Sequence, residues 1–176
     1  SKQQTNIDYS MLAAINRAIL DETAKRLFFI EDPMTIETAA PAIEAHLKLQ
    51  PQDTTAKRVI RTNGTYLIER KDYEAIQEGE VVRLMDCVNL VKEGQLRYQS
   101  SEYEEFEGKR VLHWISPAEE QVEVEILMPD LTVKKGISEH MTKTLQPGEV
   151  IQFERFGFCR LDEIKDGVYH FWYSHD

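Results

Sequence analysis

Short runs in which apolar and polar residues alternate follow one another through most of this chain, and that period-two pattern constrains its fold more than any other feature. Gln121 to Met128 sets Val122, Val124, Ile126 and Met128 against Glu123 and Glu125, as in a strand buried on one face. Met34 and Ile36, then Ile43, Ala45, Leu47 and Leu49, repeat the period, with Pro41 and Pro51 at the boundaries. Leu27 to Ile30 is continuously apolar and predicts a buried strand that Pro33 ends or marks as an edge. Val111 to Ile115, Thr132 to Ile137 and the segment VYHFWYS after Gly167 are further candidates. Only residues 8–26 carry a convincing helical stripe, Met11, Leu12, Ile15, Ile19 and Leu20, behind an N-cap at Asp8. Lys25 and Arg26 would then sit at the negative end of the helix dipole. A lone helix cannot bury its stripe, so this one needs either the β-region that follows or a part of a longer protein. The sum is about ten short strands with turns every 8–12 residues or so, a mostly β chain folded as a barrel or a pair of barrels behind one helix.

Turn residues sharpen the picture. Asn63-Gly64 stands between two strand-like runs, Val59–Arg61 and Thr65–Arg70, and predicts a hairpin. Residues 71–77 have room for about two helical turns. The run EVVRLMDCVNLV after Gly79 reads as one strand, with Val82, Leu84 and Asp86 on one face, turned back by Glu93-Gly94. Residues 51–57 and the acidic stretch 101–110 read as polar loops, with Glu102, Glu104, Glu105 and Glu107 solvated.

The stretch GEVIQFERFGFCRLD, 148–162, carries the most suggestive chemistry. Ile151, Phe153 and Arg155 alternate with Val150, Gln152 and Glu154, and Gly157 interrupts the run, so this is a bent strand or two joined strands. Gln152 offers an amide that donates and accepts, and Arg155 a planar fork; both types read base edges well. The competing reading pairs Arg155 with Glu154 or Asp162 on a barrel surface.

Composition limits the function. The 176 residues suffice for one domain or two small ones. With 21 basic and 31 acidic residues the net charge is −10, which argues against sequence-independent nucleic-acid binding, since that affinity comes from neutralising phosphates. It leaves room for a reader that uses a few specific contacts. Cys87 and Cys159 stand apart, outside any zinc spacing, and read as buried free thiols in a reducing compartment, the cytoplasm. There is no GxSxG, no Gly-rich phosphate loop and no HExxH. His113 has no nucleophile beside it and reads as a structural histidine bonded to backbone across a sheet. Trp114 and Trp172 read as core or barrel-lid residues. No apolar run approaches the 18 residues of a membrane span. The chain opens on Ser1 rather than an initiator Met and is expected to be a fragment or a processed product.

Five stretches in order, AKRLFFIEDP (24–33), GTYLIERKDY (64–73), GEVVRLMDCVNL (79–90), RVLHWIS (110–116) and GEVIQFERFGFCRLD (148–162), resemble the anticodon-binding region of archaeal-type glutamyl-tRNA synthetases, which share its form with glutaminyl-tRNA synthetases. The loop YQSSEYEEFEGKRVLHW (98–114) resembles the glutamyl branch. The resemblance implies two small β-barrels of the kind seen in a ribosomal protein that binds 5S rRNA. It places a helical connector from an absent catalytic part at 1–26, a first barrel at 27–112 and a second at 113–176, with strands free to exchange between them. It implies a monomer that grips a tRNA anticodon loop through Arg26, Arg83, Gln152 and Arg155, with Gln152 and Arg155 on the middle base. Met85 stands where the glutaminyl branch has the second arginine of an R-L-R motif, and Glu74-Ala75 where it has a Lys-Arg pair. Glutamate activation would need ATP, Mg and the HIGH and KMSKS motifs of class I synthetases, and these 176 residues contain neither motif. The expectation is therefore binding to a glutamate-accepting tRNA, with a glutamine-accepting one as a second candidate partner, without catalysis or metal in this stretch. A glutaminyl-tRNA synthetase region and a stand-alone ribosomal-RNA-binding barrel are the alternatives.

Overall fold

A computed structural model describes residues 8–53 and 55–176. Residues 1–7 of the expected connector, and Thr54 of the polar loop, lie outside the described residues. Helix α1 runs Tyr9–Thr23, with the Asp8 carboxylate accepting from the Ser10 N–H at 3.4 Å. It spans the whole stripe and stops three residues short of the expected end at 26. Ala24 turns extended, and the Arg26 N–H donates to the Leu49 carbonyl at 2.8 Å, so Lys25 and Arg26 do not serve the helix dipole. Met11, Leu12, Ile15 and Ile19 stay exposed.

The continuous apolar run makes two short strands, β1 (Arg26–Leu27) and β2 (Phe29–Glu31). Leu27 and Phe29 enter one core while Phe28 and Ile30 enter another, which is why no polar residue alternates with them. The strand ends at Glu31, just before Pro33: Asp32 adopts a left-handed φ of 49°, and Pro33 opens an edge strand, β3 (Pro33–Glu37).

The Asn63-Gly64 hairpin is not formed. Strands β4 (Ile43–Lys48) and β5 (Lys57–Thr62) pair with each other, and β6 (Thr65–Glu69) pairs with β3. The whole of 33–69 is one long antiparallel ribbon that reverses through the 49–56 loop and bends at Gly64. Gly64 has φ 93°, and a Cβ there would meet the Ala40 and Thr38 carbonyl oxygens at 2.9 and 3.0 Å. Close approach, not reversal, is what this glycine permits. The Thr38 N–H and hydroxyl both donate to the Gly64 carbonyl.

Helix α2 (Arg70–Ala75) follows, then β7 (Val81–Leu84), β8 (Asn89–Glu93) and β9 (Gln95–Ser100). The expected single strand after Gly79 is broken by a tight turn at Met85–Val88, where Asp86 takes φ 54° and the Leu84 N–H donates to Val88. Strand β10 (Arg110–Leu112) lies parallel to β7, giving the sheet order β10-β7-β8-β9. Leu67 bridges to Ile115 and joins the ribbon to this sheet. Tyr66, Ile68, Val82, Leu84, Leu112 and Trp114 fill the core they enclose.

The second part forms one seven-stranded sheet from β11 (Val122–Leu127), β12 (Val133–Ser138), β13 (Val150–Phe153), β14 (Gly157–Lys165) and β15 (Val168–His175), in the order β1-β13-β14-β15-β11-β12-β2. Its two edges, β1 and β2, are separated in the chain by Phe28 alone, so the sheet curls into a nearly closed barrel. Ile126, Ile151, Phe153, Leu161 and Phe171 pack inside it. Residues 26–31 thus lend strands to a sheet otherwise drawn from residues 122–175. The chain is mostly β, as its period-two pattern predicts. Both cysteines are free and buried. Trp114 is buried and donates its indole N–H to the Met85 carbonyl at 2.9 Å, whereas Trp172 stands 53% exposed on the outer barrel wall. Among the described residues no helix is long and apolar enough to cross a membrane.

Candidate nucleic-acid interface

The 148–162 stretch is two joined strands, β13 and β14, folded back on each other. Ile151 and Phe153 point inward as expected, but the alternation stops at the turn of residues 154–156. Arg155 sits in that turn with φ 65°, a left-handed conformation that is uncommon for a residue with a Cβ. The turn throws its guanidinium away from the barrel and toward α2.

There Arg155 grips Asp72 through two nitrogens, Nη1 to Oδ2 at 2.7 Å and Nη2 to Oδ1 at 3.0 Å. Nη1 also donates to His113 Nδ1 at 2.9 Å. The surface pairing with Glu154 or Asp162 is therefore replaced by a bridge to the other half of the chain. Burial alone would raise the Asp72 pKa, but the hydrogen bonds and charge of Arg155 outweigh it and the net shift is downward. Arg155 is held above its ordinary value by the Asp72 bond. His113 is pushed down to about 4, first by burial and then by the Arg155 charge, so it is neutral. A neutral ring that accepts at Nδ1 carries its proton on Nε2, which lies 3.4 Å from Glu69 Oε1. His113 is thus structural, as expected, held by a backbone hydrogen bond at Phe29 and also by the Arg155 and Glu69 side chains. Glu69, Asp72 and His113 bring ligand-type atoms within 4.8 Å of one another, and the guanidinium of Arg155 already answers their charge.

Arg26 and Gln152 come together. They are register partners across the parallel β1–β13 pair, fixed by the Gln152 N–H donating to the Lys25 carbonyl at 2.8 Å. Both side chains are half-buried, and Arg26 Nη1 lies 3.9 Å from Glu154 Oε1. Arg26 borders a cleft of about 230 Å³ between the two halves, together with Leu47, Lys48, Arg58, Met85, Asp86 and Glu154. Cations and carboxylates both line it, so a ligand there meets donors and acceptors rather than one sign of charge.

Arg83 stands apart from these three. It is buried in the first sheet, where Nη1 donates to Asn89 Oδ1 at 2.8 Å and to the Ser101 carbonyl at 3.0 Å. Its guanidinium carbon lies 5.6 Å from the ring of exposed Tyr103. Arg26 and Gln152 are therefore paired across β1 and β13, Arg155 lies in the turn that follows β13 and faces Asp72 and His113, and Arg83 belongs to a separate wall.

Sequence reasoning missed Arg58, which is 1% exposed. Its Nε lies 2.9 Å from Glu139 Oε1 and its Nη2 3.8 Å from Glu154 Oε2. The one legible signal was parity: Arg58 falls on the same face of β5 as buried Ile60.

The fold is thus a two-part, mostly β structure whose junction carries a cleft of arginine, lysine and carboxylate side chains. Comparison with known proteins places it in a family. Residues 24–108 match one family model and residues 111–162 a second, both described as the anticodon-binding domain of class I tRNA synthetases (E and Q). The chain is 35% identical over 177 residues to a glutamate–tRNA ligase of Methanobrevibacter smithii, covering 96% of this chain and 31% of that protein. It is 36% identical over 180 residues to one of Methanopyrus kandleri, covering 94% and 31%. With one of Pyrococcus horikoshii it shares 34% identity over 189 residues, covering 99% and 32%. The chain belongs to the class I (E and Q) tRNA synthetase anticodon-binding family. It spans about a third of the length of the curated relatives it matches.

Proposed function

We propose that this chain is the anticodon-binding region of a glutamate–tRNA ligase. It binds tRNA and leaves ATP- and Mg-dependent aminoacylation to the rest of a longer enzyme, acting as a monomer in the cytoplasm. The observation that carries the reading is the side-by-side placement of Arg26, which borders the cleft, and Gln152 on the neighbouring strand, with Arg155 in the turn that follows. The middle base of a glutamate anticodon is uracil, which presents two carbonyl acceptors around one N–H donor. Arginine supplies donors, and the Gln152 amide supplies one of each kind, so together they match that edge. Arg155 keeps donors for this purpose. Three of its hydrogen bonds go to Asp72 and His113, and the side chain remains 35% exposed. Arg83, with Tyr103 beside it, is assigned to a neighbouring base, which stacking and one freed donor would hold.

The acidic body leaves little sequence-independent affinity, so binding rests on base contacts and falls modestly with salt. The test is titration with an anticodon stem-loop of a glutamate-accepting tRNA beside one whose middle uracil is changed to cytosine. Preference for uracil supports the reading. Equal binding of both would sink the assignment of Arg26, Gln152 and Arg155 as base readers. Glutamate-dependent pyrophosphate exchange by the 176-residue chain alone would sink the division of labour.

A further inference from the structure

The seam of the second barrel and the rim of the cleft are connected by a line of buried charge. Phe28 lies between β1 and β2, outside both strands, so strand pairing leaves its backbone groups unmet. Side chains from the far end of β12 meet them instead. Glu139 Oε2 accepts the Phe28 N–H at 2.8 Å, and the Ser138 hydroxyl donates to the Phe28 carbonyl at 2.7 Å. The other oxygen of Glu139 faces Arg58, which comes from β5 in the first half. That 2.9 Å approach is a contact of charges rather than a well-angled hydrogen bond. Arg58 also donates to the Lys48 carbonyl and lies with its guanidinium carbon 4.6 Å from the centre of the Phe28 ring. Its remaining nitrogen points at Glu154, whose second oxygen faces Arg26. The order is Glu139, Arg58, Glu154, Arg26, with alternating sign.

We propose that Arg58 and Glu139 are positioning residues for the cleft. Seated by Glu139 at the barrel seam, Arg58 holds the Glu154 carboxylate, and Glu154 in turn sets the guanidinium of Arg26 beside Gln152. This rests on the reading of Arg26 as a base contact. Three observations converge on it. Arg58 and Glu139 are each 1% exposed, so neither can reach RNA itself. Among the described residues, Arg58 Nη2, Glu154 Oε2 and Arg26 Nε are all buried without a hydrogen-bond partner, so the rim keeps unspent polar capacity beside the cleft. Glu154 and Arg26 line that cleft in front of the buried Arg58 guanidinium, so the line ends at the ligand face rather than inside a core. A guanidinium suits the central place because it can address a carboxylate, a carbonyl and a second carboxylate at fixed angles, which an ammonium cannot.

The experiment uses the 176-residue chain, Arg58→Met, Glu139→Gln and the double variant Arg58→Met/Glu139→Gln. The double variant removes the buried charge pair and keeps an amide oxygen for the Phe28 N–H. Three quantities are measured: the melting temperature, the NMR order of the Arg26 Nε–H with the Arg155 Nε–H as internal control, and the ratio of affinities for the uracil and cytosine stem-loops. The double variant is expected to regain most of the melting temperature lost by Arg58→Met, as replaced buried ion pairs do. It is expected to leave Arg26 mobile, Arg155 ordered, and the uracil preference reduced by about fivefold or more. Recovery of Arg26 order together with melting temperature would overturn the proposal, as would an ordered Arg26 in folded Arg58→Met. If the unaltered chain shows no base preference, the RNA reading fails. The order of Arg26 then decides the positioning role by itself.

Discussion

Two arginines tie the halves of this molecule together, in opposite directions and at different depths. Arg58 leaves the first half to meet Glu139 and Glu154 of the second, and it is 1% exposed. Arg155 leaves the second half to meet Asp72 and His113 of the first, and it is 35% exposed. The chemistry is nearly the same and the consequences differ. A buried guanidinium depends on its partners, because removing one strands the other charge out of water. A half-exposed one is partly solvated, so its partners orient it more than they stabilise it, and its remaining donors face where a ligand can come. Depth therefore divides the two bridges into one that holds the junction and one that can both hold and read.

The largest expected effect breaks the deep bridge. Arg58→Met should lower stability by about 3–5 kcal/mol, read as a shifted urea midpoint at unchanged slope. Adding Glu139→Gln should recover much of that, because no lone charge then remains buried. Arg155→Ala measured the same way should cost clearly less. Equal costs would remove the distinction of depth.

Acid separates the bridges next. His113 sits at about 4, below its ordinary 6.5, because burial and the Arg155 charge disfavour its protonated form. Between those values the unfolded chain takes up a proton that the folded chain refuses, so this contribution is intact above pH 6.5 and is lost as the pH falls toward 4. Asp72, shifted down, adds its own loss below its ordinary 3.8. Glu139 has the opposite sign. Burial raises it to about 7 against the pull of Arg58, so from pH 7 down toward 4.5 the folded chain binds the extra proton and is favoured. The stability difference between the unaltered chain and His113→Gln should therefore fall by about 3 kcal/mol across pH 6.5 to 4. The difference for Glu139→Gln should move the other way between pH 7 and 4.5. A difference for His113→Gln that is flat with pH would mean that the shallow bridge does not depend on a neutral imidazole.

Much of this architecture was legible in the chain, and the parts that were not share a cause. Strands such as 43–48 and 122–127 follow directly from alternation, because one face of each is buried. What alternation cannot convey is which strand pairs with which. Asn63-Gly64 has the composition of a hairpin turn, yet its glycine serves a close crossing of backbones at Ala40. The Met85–Val88 reversal uses a left-handed Asp86 with no glycine to announce it. Leu27 to Ile30 reads as one buried strand because it is apolar throughout, but it is the two edges of a curled sheet, with Phe28 in the gap. The site shows the same division. Gln152 and Arg155 can be picked by residue type, and Arg26 and Arg83 by resemblance. Asp72, His113 and Glu139 lie 83, 42 and 111 residues from the partners they meet, and no local pattern reports such distances.

The shallow bridge yields the third prediction. Arg155→Ala should weaken binding of the uracil stem-loop by about 1–3 kcal/mol if its remaining donors reach the base. Asp72→Asn is the sharper companion, since it keeps the shape of the partner and removes its charge. It should loosen Arg155 and lower affinity by less than Arg155→Ala does. If Arg155→Ala changes stability and leaves RNA affinity untouched, both bridges are structural and the comparison collapses to one of degree.

The smallest expected effect tests the boundary between holding and reading. Gln152 is half-buried beside Arg26, and its position is set by the backbone pairing of β1 and β13 rather than by its own amide. Gln152→Ala should leave stability within about 0.5 kcal/mol of the unaltered chain, as a surface substitution away from caps and cores does. A neutral hydrogen bond contributes on the order of 0.5–1.5 kcal/mol net, so the loss of uracil affinity should be about 1 kcal/mol, with a smaller loss for cytosine. That inequality matters more than the size. A side chain that only shapes the cleft would weaken both ligands alike, whereas one that reads an edge weakens the matching base more. Parallel losses for the two stem-loops would move Gln152 out of the reading set and leave Arg26, held from behind by Glu154 and Arg58, as the discriminating group on that strand pair.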